Sequence, residues 1–294
     1  MTQTLPFSFP RYLAAKKSVD DRALNRLVWQ RLADEVAAQT SGGQPLDVLE
    51  IGAGIGTMAE RVMAWGLLEQ ARYTALDNEA ENVAAIRARL GTGRGAGLDL
   101  AVEQADVFDF ARRPHNQARY DLLIAHAVLD LFDVPAALPR LLRMVKPDGL
   151  CYFTINFDGA TIFEPVIDAG LDAQIEALYH RSMDERITDG QPSGDSRTGR
   201  HLFHLLPAAG VEILAAGSSD WVVFGSAGEY PQDEAYFLHC ILHFIESTLR
   251  GHPELDPEIF TDWLSTRRQQ IGSGELVYIA HQTDFVGRIC QNDD

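Results

Sequence analysis

The chain has 294 residues, 46% of them hydrophobic, enough for one large or two small globular domains. Its formal net charge is −17, with Lys only at 16, 17 and 146 and no basic stripe, which disfavours a nucleic-acid partner. No apolar run is long enough to span a bilayer. The three cysteines, Cys151, Cys240 and Cys290, are too few and too far apart for a disulfide framework or a metal site.

Met1 to Pro10 lacks a basic stretch followed by an apolar one. No secretory leader is therefore expected, and a reducing cytoplasm is the default compartment. Residues 1–17 read as an irregular arm anchored by Phe7, Phe9 and Tyr12. Ser18-Val19-Asp20-Asp21 reads as a helix start, with acids near its positive end. Leu24, Leu27, Val28, Leu32 and Val36 then recur at helical spacing, and a loop covers 40–45.

From Leu46 strand and helix alternate. Strands are expected at 46–51, 72–77, 98–103, 120–125 and 150–156. Helices are expected at 57–70, 79–90 and 135–146, with a Gly-rich loop at 91–97. Short links between such elements imply a parallel sheet wrapped by helices on both faces. Beyond Phe157 the rhythm loosens. Helices are expected near 168–187, 198–209, 231–250 and 256–270, with a polar loop at 188–196. Strands are expected near 211–216, 220–224 and 275–281. Two segments, 157–200 and 225–272, read as insertions over the carboxyl edge of the sheet.

The most informative stretch is Val48-Leu49-Glu50-Ile51-Gly52-Ala53-Gly54-Ile55-Gly56, a strand that ends in an acid and runs into alternating glycines. Such a turn lets a ligand lie against bare backbone. A dinucleotide fingerprint would need G-x-G-x-x-G/A. Here the third glycine comes one residue early and Thr57 occupies the small-residue position. Tyr73-Thr74-Ala75-Leu76-Asp77 is a second strand that ends in an acid, placed to accept from both hydroxyls of a ribose. Ala105-Asp106-Val107-Phe108 and Tyr120-Asp121-Leu122-Leu123-Ile124-Ala125-His126 follow in order. Leu142-Arg143-Met144-Val145-Lys146-Pro147-Asp148-Gly149 closes the series with a turn.

Over about 45–156 this series resembles the class I S-adenosylmethionine-dependent methyltransferases, specifically small-molecule enzymes related to the quinone and sterol C-methylating ones. The resemblance implies a Rossmann-like, doubly wound, seven-stranded and mostly parallel α/β sheet with helical cap insertions. It implies S-adenosylmethionine as cofactor, held by Glu50, Gly52, Ala53, Gly54, Gly56, Asp77, Asn78, Asp106, Val107 and Ala125. It also implies an arm, 1–45, closing over the cofactor through Tyr12 and Lys16. The binding core would be 46–156, and 157–294 would carry the remaining strands and the acceptor pocket.

The residues admit plainer roles as well. Asp77 and Asp106 fit helix caps, and Glu50 fits a partner for a turn amide. Methyl transfer needs a base only if the nucleophile must lose a proton. His126, just past the fourth strand, is the candidate base. Arg197 and Arg200, in Gly194-Asp195-Ser196-Arg197-Thr198-Gly199-Arg200, are candidates for an anionic group on the acceptor. Tyr179, Trp221, Trp263 and Phe237 are candidates for an apolar acceptor wall. His201 and His204 have no third partner at metal-ligand spacing, so no metal is expected.

The expected partner is a small-molecule acceptor, with no nucleic acid and no membrane span, and a homodimer is allowed. Rival readings on the same sheet are an NAD(P)-dependent oxidoreductase, a non-catalytic S-adenosylmethionine-binding protein, and a nucleic-acid or protein methyltransferase. The absence of an Asn/Asp-Pro-Pro-Tyr/Phe tetrapeptide after the fourth strand disfavours methylation of base amines.

Overall fold

The computed structural model describes residues 7–40, 43–91, 93–95, 98–188 and 190–290. Residues 1–6 of the expected arm lie outside that set, as do parts of the loops expected at 40–45, 91–97 and 188–196.

The N-terminal region is a helical pair, α1 (Phe9–Ala23) and α2 (Arg26–Thr40). The expected irregular arm is therefore a helix from Phe9 onward. The expected helix start at Ser18 falls inside it. The break comes at Leu24-Asn25, where the Asn25 side-chain oxygen accepts from the amides of Leu27 and Val28. Asp284 Oδ2 accepts from the Asn25 amide and pins the corner to the sheet. Leu24, Val28, Leu32 and Val36 are buried as the spacing predicts, but Leu27, at the new helix start, is 81% exposed.

The core then runs β1 (Leu46–Ile51), α3 (Thr57–Ala64), β2 (Ala71–Asp77), α4 (Ala80–Leu90), β3 (Gly93–Gly95) and β4 (Leu98–Gln104). It continues through α5 (Val107–Ala111), β5 (Tyr120–His126), α6 (Val134–Leu142) and β6 (Val145–Glu164). The helix α3 stops short of the expected 70 because Gly66 adopts φ 67°, which ends the turn.

The second half comprises α7 (Ala169–Asp184), a small hairpin of β7 (Ile187–Thr188) and β8 (Gln191–Pro192), α8 (Thr198–Ala208), β9 (Val211–Ser218) and β10 (Trp221–Val223). It ends with α9 (Glu234–Leu249), α10 (Pro257–Ser273) and β11 (Val277–Ile289).

Among the described residues the main sheet has nine strands in the order β10-β11-β6-β5-β1-β2-β4-β3, with β9 also paired to β11. The pairs from β4 through β2, β1 and β5 to β6 are parallel. Those made by β11, and the β3–β4 edge, are antiparallel. The doubly wound, mostly parallel architecture is the one expected. Two strands exceed the expected seven, because a Gly-rich stretch expected as loop forms β3 and because both β9 and β10 pair with the long β11.

The strand β6 runs to Glu164, past the expected end at 156. Its extension, Thr161–Glu164, pairs with Val277–Ala280 of β11. Two apolar cores form, one on each face. The first includes Val28, Leu32, Val62 and Tyr152, and the second includes Ile51, Leu123, Phe153 and Leu141. The alternating strand pattern divides neighbours such as Tyr152 and Phe153 between the two faces. The carboxyl ends of β1, β2, β5 and β6 open toward α1, α7 and α9, and the candidate site lies there.

Candidate active site

A cavity of about 620 Å³ lies between the glycine turn and the helices above it. That volume is within the range of ordinary small-molecule sites.

Its floor is the β1–α3 turn. Gly52 and Gly54 adopt φ 62° and 56°, conformations that L side chains rarely take. A Cβ on Gly52 would come 2.7 Å from Val128 Cγ2, and one on Gly54 would come 3.0 Å from Leu13 Cδ1. The cradle is therefore closed to any larger residue. Ala53 and Ile55 also line it. Gly56 does not. It caps α3 in the left-handed region, and its missing side chain makes room for Leu90 and Ile86 of α4. In the structure it serves helix packing and does not line the cavity.

Asp77 ends β2 beside this floor. Its Oδ2 accepts from the Gly54 amide at 2.7 Å, while Oδ1 accepts from the Glu79 amide and from Asn82 Nδ2. Asp77 thus braces the glycine turn and the turn before α4, whose N-cap is Glu79, rather than capping the helix itself. Asn78, Glu79 and Asn82 continue the wall.

Glu50 is buried and accepts from the Tyr73 hydroxyl at 2.7 Å. Burial pushes its carboxyl up to about 8, against the pull of Tyr73 and Arg61. The acids lining the cavity are Asp20, Glu50, Asp77, Glu79 and Asp130, and the cations are Lys16 and Arg186. This imbalance suits a ligand that carries positive charge. A sulfonium with an α-amino group meets that condition, and its charge would favour ionised Glu50.

The expected adenine contacts are less directly placed. Asp106 Oδ1 accepts from the amides of Phe108 and Asp109, capping α5. Val107 and Ala125 are buried with Val128 in the second apolar core. None of the three lines the cavity, whereas Val128, packed over Gly52, does.

The helix α1 supplies the upper wall with Tyr12, Leu13, Lys16 and Asp20. Tyr12 and Lys16 thus line the cavity. Lys16 is not free, however. Its Nζ donates to Asp20 Oδ2 at 2.9 Å, and it sits 5.3 Å from the Trp221 ring centroid. Asp20 is the hub of a buried network. Trp221 Nε1 donates to its Oδ1 at 2.9 Å, and His126 Nε2 lies 3.0 Å from its Oδ2. Arg61 reaches the same oxygen at 3.5 Å and Asp21 Oδ1 at 2.5 Å. Burial alone would raise the Asp20 carboxyl, but Lys16, His126 and Arg61 outweigh it and hold it well below the usual carboxylate range.

His126, the expected base, is enclosed by that network. Nε2–H donates to Asp20, with Arg61 Nη1 3.2 Å from the same nitrogen, and Nδ1 accepts from Thr154 Oγ1 at 2.8 Å. Burial pushes the imidazole down to about 4 despite Asp20, so the ring is neutral at pH 7. A base needs a nitrogen available to the substrate proton, and both nitrogens here have protein partners. His126 lines the cavity and joins α1 to β5 and β6 through these contacts.

Beside Thr154, Ile155 lines the cavity with φ 56°, an outlier for a β-branched residue. Its amide donates to Asp284 Oδ1 at 2.8 Å, and β11 is irregular between Thr283 and Phe285, where Asp284 sits. The bulge aims Asp284 at both Ile155 and Asn25.

The far half of the cavity is walled by Phe157, Tyr179, Met183, Trp221, Phe244 and Tyr278. Of the aromatic residues expected in an acceptor wall, Tyr179 and Trp221 line the cavity. Trp263 and Phe237 are buried in the core instead. Arg197 and Arg200 do not line the cavity. Arg200 pairs with Asp158, its Nε 2.6 Å from Oδ1, and the Arg197 side chain packs beside Gly159. Besides Lys16, the cation that lines it is Arg186, in the turn after α7.

Sequence reasoning missed Asp20, Arg61, Asp130 and Arg186. The Lys16/Asp20 pair had a local signal, opposite charges four residues apart on a helix. The others come together only in the fold. His201, on α8, pairs with Asp195. Among the described residues no group of His, Cys, Asp and Glu could hold a metal, and no helix is long and apolar enough to cross a membrane.

Comparison with known proteins gives one family model, described as a methyltransferase domain, matching residues 48–149. No curated protein matches the chain. Among solved structures, the chain is similar to a putative sarcosine dimethylglycine methyltransferase from Galdieria sulphuraria. That pair shares 16% identity over 89% of this chain and 86% of that one, with a TM-score of 0.43. It is also similar to the YcgJ protein from Bacillus subtilis (13%; 88% and 99%; TM-score 0.47). A third is the Haemonchus contortus phosphoethanolamine N-methyltransferase 2 (13%; 97% and 61%; TM-score 0.43). At such identities and scores these neighbours say nothing about this chain's acceptor. The matched segment runs from β1 through the turn into β6, and so contains the glycine cradle, Asp77 and His126. Residues 48–149 form a methyltransferase domain of the class I S-adenosylmethionine-dependent family, with S-adenosylmethionine as its cofactor.

Proposed function

We propose that the chain transfers a methyl group from S-adenosylmethionine to a small-molecule acceptor bound in the roofed half of the cavity. The observation that carries this reading is the continuity of one cavity of about 620 Å³. It runs from the glycine cradle and Asp77 to the aromatic wall of Phe157, Tyr179, Trp221 and Tyr278. A roofed, largely apolar space of this size accommodates a small molecule.

In this reading residues 46–156 bind the cofactor, the helices of 1–45 close over it, and 157–294 supply the acceptor wall. Asp77 accepts from the ribose hydroxyls through lone pairs left beside its three donors. Gly52, Ala53, Gly54 and Asn78 line the ribose and methionine portion, with Asp106, Val107 and Ala125 beyond the cavity wall at the adenine end. Glu50 faces the positive charge of the ligand, and Tyr12 and Lys16 close the methionine end. When bound, S-adenosylmethionine supplies an electrophilic methyl group. The chain's residues hold the acceptor in line with it and exclude water. The excess of acids in the wall argues against the pyrophosphate of a dinucleotide, and so against the oxidoreductase reading.

Calorimetric titration of the full chain with S-adenosylhomocysteine tests the cofactor half of this reading, with binding in the micromolar range expected. Absence of heat at millimolar ligand would refute it.

A further inference from the structure

Asp130 lies on a single 3-10 turn (Leu129–Leu131) that follows β5, and its side chain lines the cavity. Its Oδ1 is inaccessible to solvent and has no hydrogen-bond partner. Leaving such an oxygen unpaired costs stability unless a proton or a ligand donor relieves it.

The charged groups around it are Arg186 from the turn after α7, Lys16 from α1, and Asp195 from the loop before α8. Among the described residues none of the cations forms an ion pair with it. Burial pushes the carboxyl up, and Arg186, a hydrogen bond from the residue's own backbone amide, and Lys16 only moderate the rise. The backbone around the acid is fixed from behind. The Asp195 amide lies 3.4 Å from the Asp130 carbonyl oxygen, and Gly194 packs close enough that a Cβ there would sit 3.4 Å from that oxygen and 3.5 Å from Arg186 Cζ. An under-solvated carboxylate on a fixed backbone, lining the same cavity as His126, whose nitrogens are already committed to protein partners, is placed to take a proton.

We propose that Asp130 is the general base of the transfer and that the acceptor is protic, an N–H or O–H nucleophile on an apolar, ring-sized body. The apolar body follows from the neighbouring walls of Phe157, Tyr179, Met183 and Phe244. In the step, the lone pair of the acceptor nitrogen or oxygen forms the bond to the methyl carbon. The carbon–sulfur bond breaks with its electron pair left on sulfur. The acceptor proton passes to the Asp130 carboxylate and is later released to water. This inference rests on the methyltransferase reading above, and its test is arranged to separate the two.

Phenol, aniline and benzene are titrated into the full chain saturated with S-adenosylhomocysteine, for wild type and Asp130→Asn. Phenol, aniline or both should bind at least tenfold more tightly than benzene. That advantage should shrink about tenfold in Asp130→Asn, as expected for loss of a charge-assisted hydrogen bond. Which of the two gains more identifies the acceptor as hydroxyl or amine. S-adenosylhomocysteine affinity should stay within twofold, and the melting temperature should hold or rise, since the amide removes a buried charge without a partner. Equal affinities for the three probes, or an advantage untouched by Asp130→Asn, would overturn the proposal. If S-adenosylhomocysteine fails to bind, the cofactor reading falls. The same three titrations into the free protein then decide the role of Asp130 on their own.

Discussion

Asp20 and Asp130 reach one cavity from different elements and meet opposite fates. Asp20, on α1, has a donor on each oxygen, with Lys16, His126 and Trp221 in hydrogen-bond contact and Arg61 close by. Asp130, after β5, has an orphaned oxygen and no ion pair among the described residues. The first acid is used up in joining α1, α3, β5, β6 and β10 around the site. The second keeps unspent hydrogen-bonding capacity. Buried polar groups that are fully paired specify architecture, and those left unpaired in a cavity mark where a ligand must complete the set.

The sharpest way to break this contrast is Asp20→Ala. Removing one member of a buried charge network leaves the others uncompensated, and a loss of about 3–5 kcal/mol is expected in denaturant unfolding. The corresponding change at Asp130 should cost nothing. Equal losses at the two sites would erase the distinction. Acid should act in the same direction. The folded value of Asp20 lies below its unfolded value of 3.8, so its contribution is complete above that pH and is lost as pH falls toward the folded value.

Glu50 offers an intermediate case with the opposite sign. Its folded value of about 8 lies above the unfolded 4.5, so the folded state holds the proton more tightly. Stability should therefore decline as pH rises from about 4.5 to about 8, by as much as a few kcal/mol. Glu50→Gln should flatten that slope in urea titrations at stepped pH, and an unchanged slope would assign the pH dependence elsewhere.

Asp77→Ala moves the comparison from stability to binding. Losing the bonds proposed to the ribose should weaken S-adenosylhomocysteine roughly ten- to hundredfold by calorimetry. A change under twofold would leave Asp77 as a cap of the turn alone. The smallest effect is expected at Arg197→Ala. Its side chain lies off the cavity, so cofactor and probe affinities should stay within about twofold. A larger loss would return that arginine to the acceptor site.

Much of the cofactor half was legible from local signals. The strand ending in Glu50 and the alternating glycines after it form the floor of the cavity, and the acid closing the next strand stands over it. These residues were readable because a tight turn demands glycine wherever φ is positive, and because a carboxylate at a strand end marks the open edge of a parallel sheet. Gly56 shows the limit of that signal, since the same demand for glycine arises from helix packing against Leu90. The acceptor half was less legible. Arg197 and Arg200 looked suitable by type, yet Asp158 claims one and the other packs beside Gly159, while Arg186 lines the cavity.

The sequence by itself determined the alternation of strand and helix, the glycine cradle and the family of the central segment. Each of these rests on patterns a few residues long. Only the tertiary structure decided which acids are satisfied, that His126 is bound on both nitrogens, and that Asp130 keeps one oxygen without a partner. Those outcomes depend on partners as distant along the chain as Asp20 and Trp221. A side chain's protonation and availability follow from the dielectric and the donors around it, which exist only once the distant segments have packed.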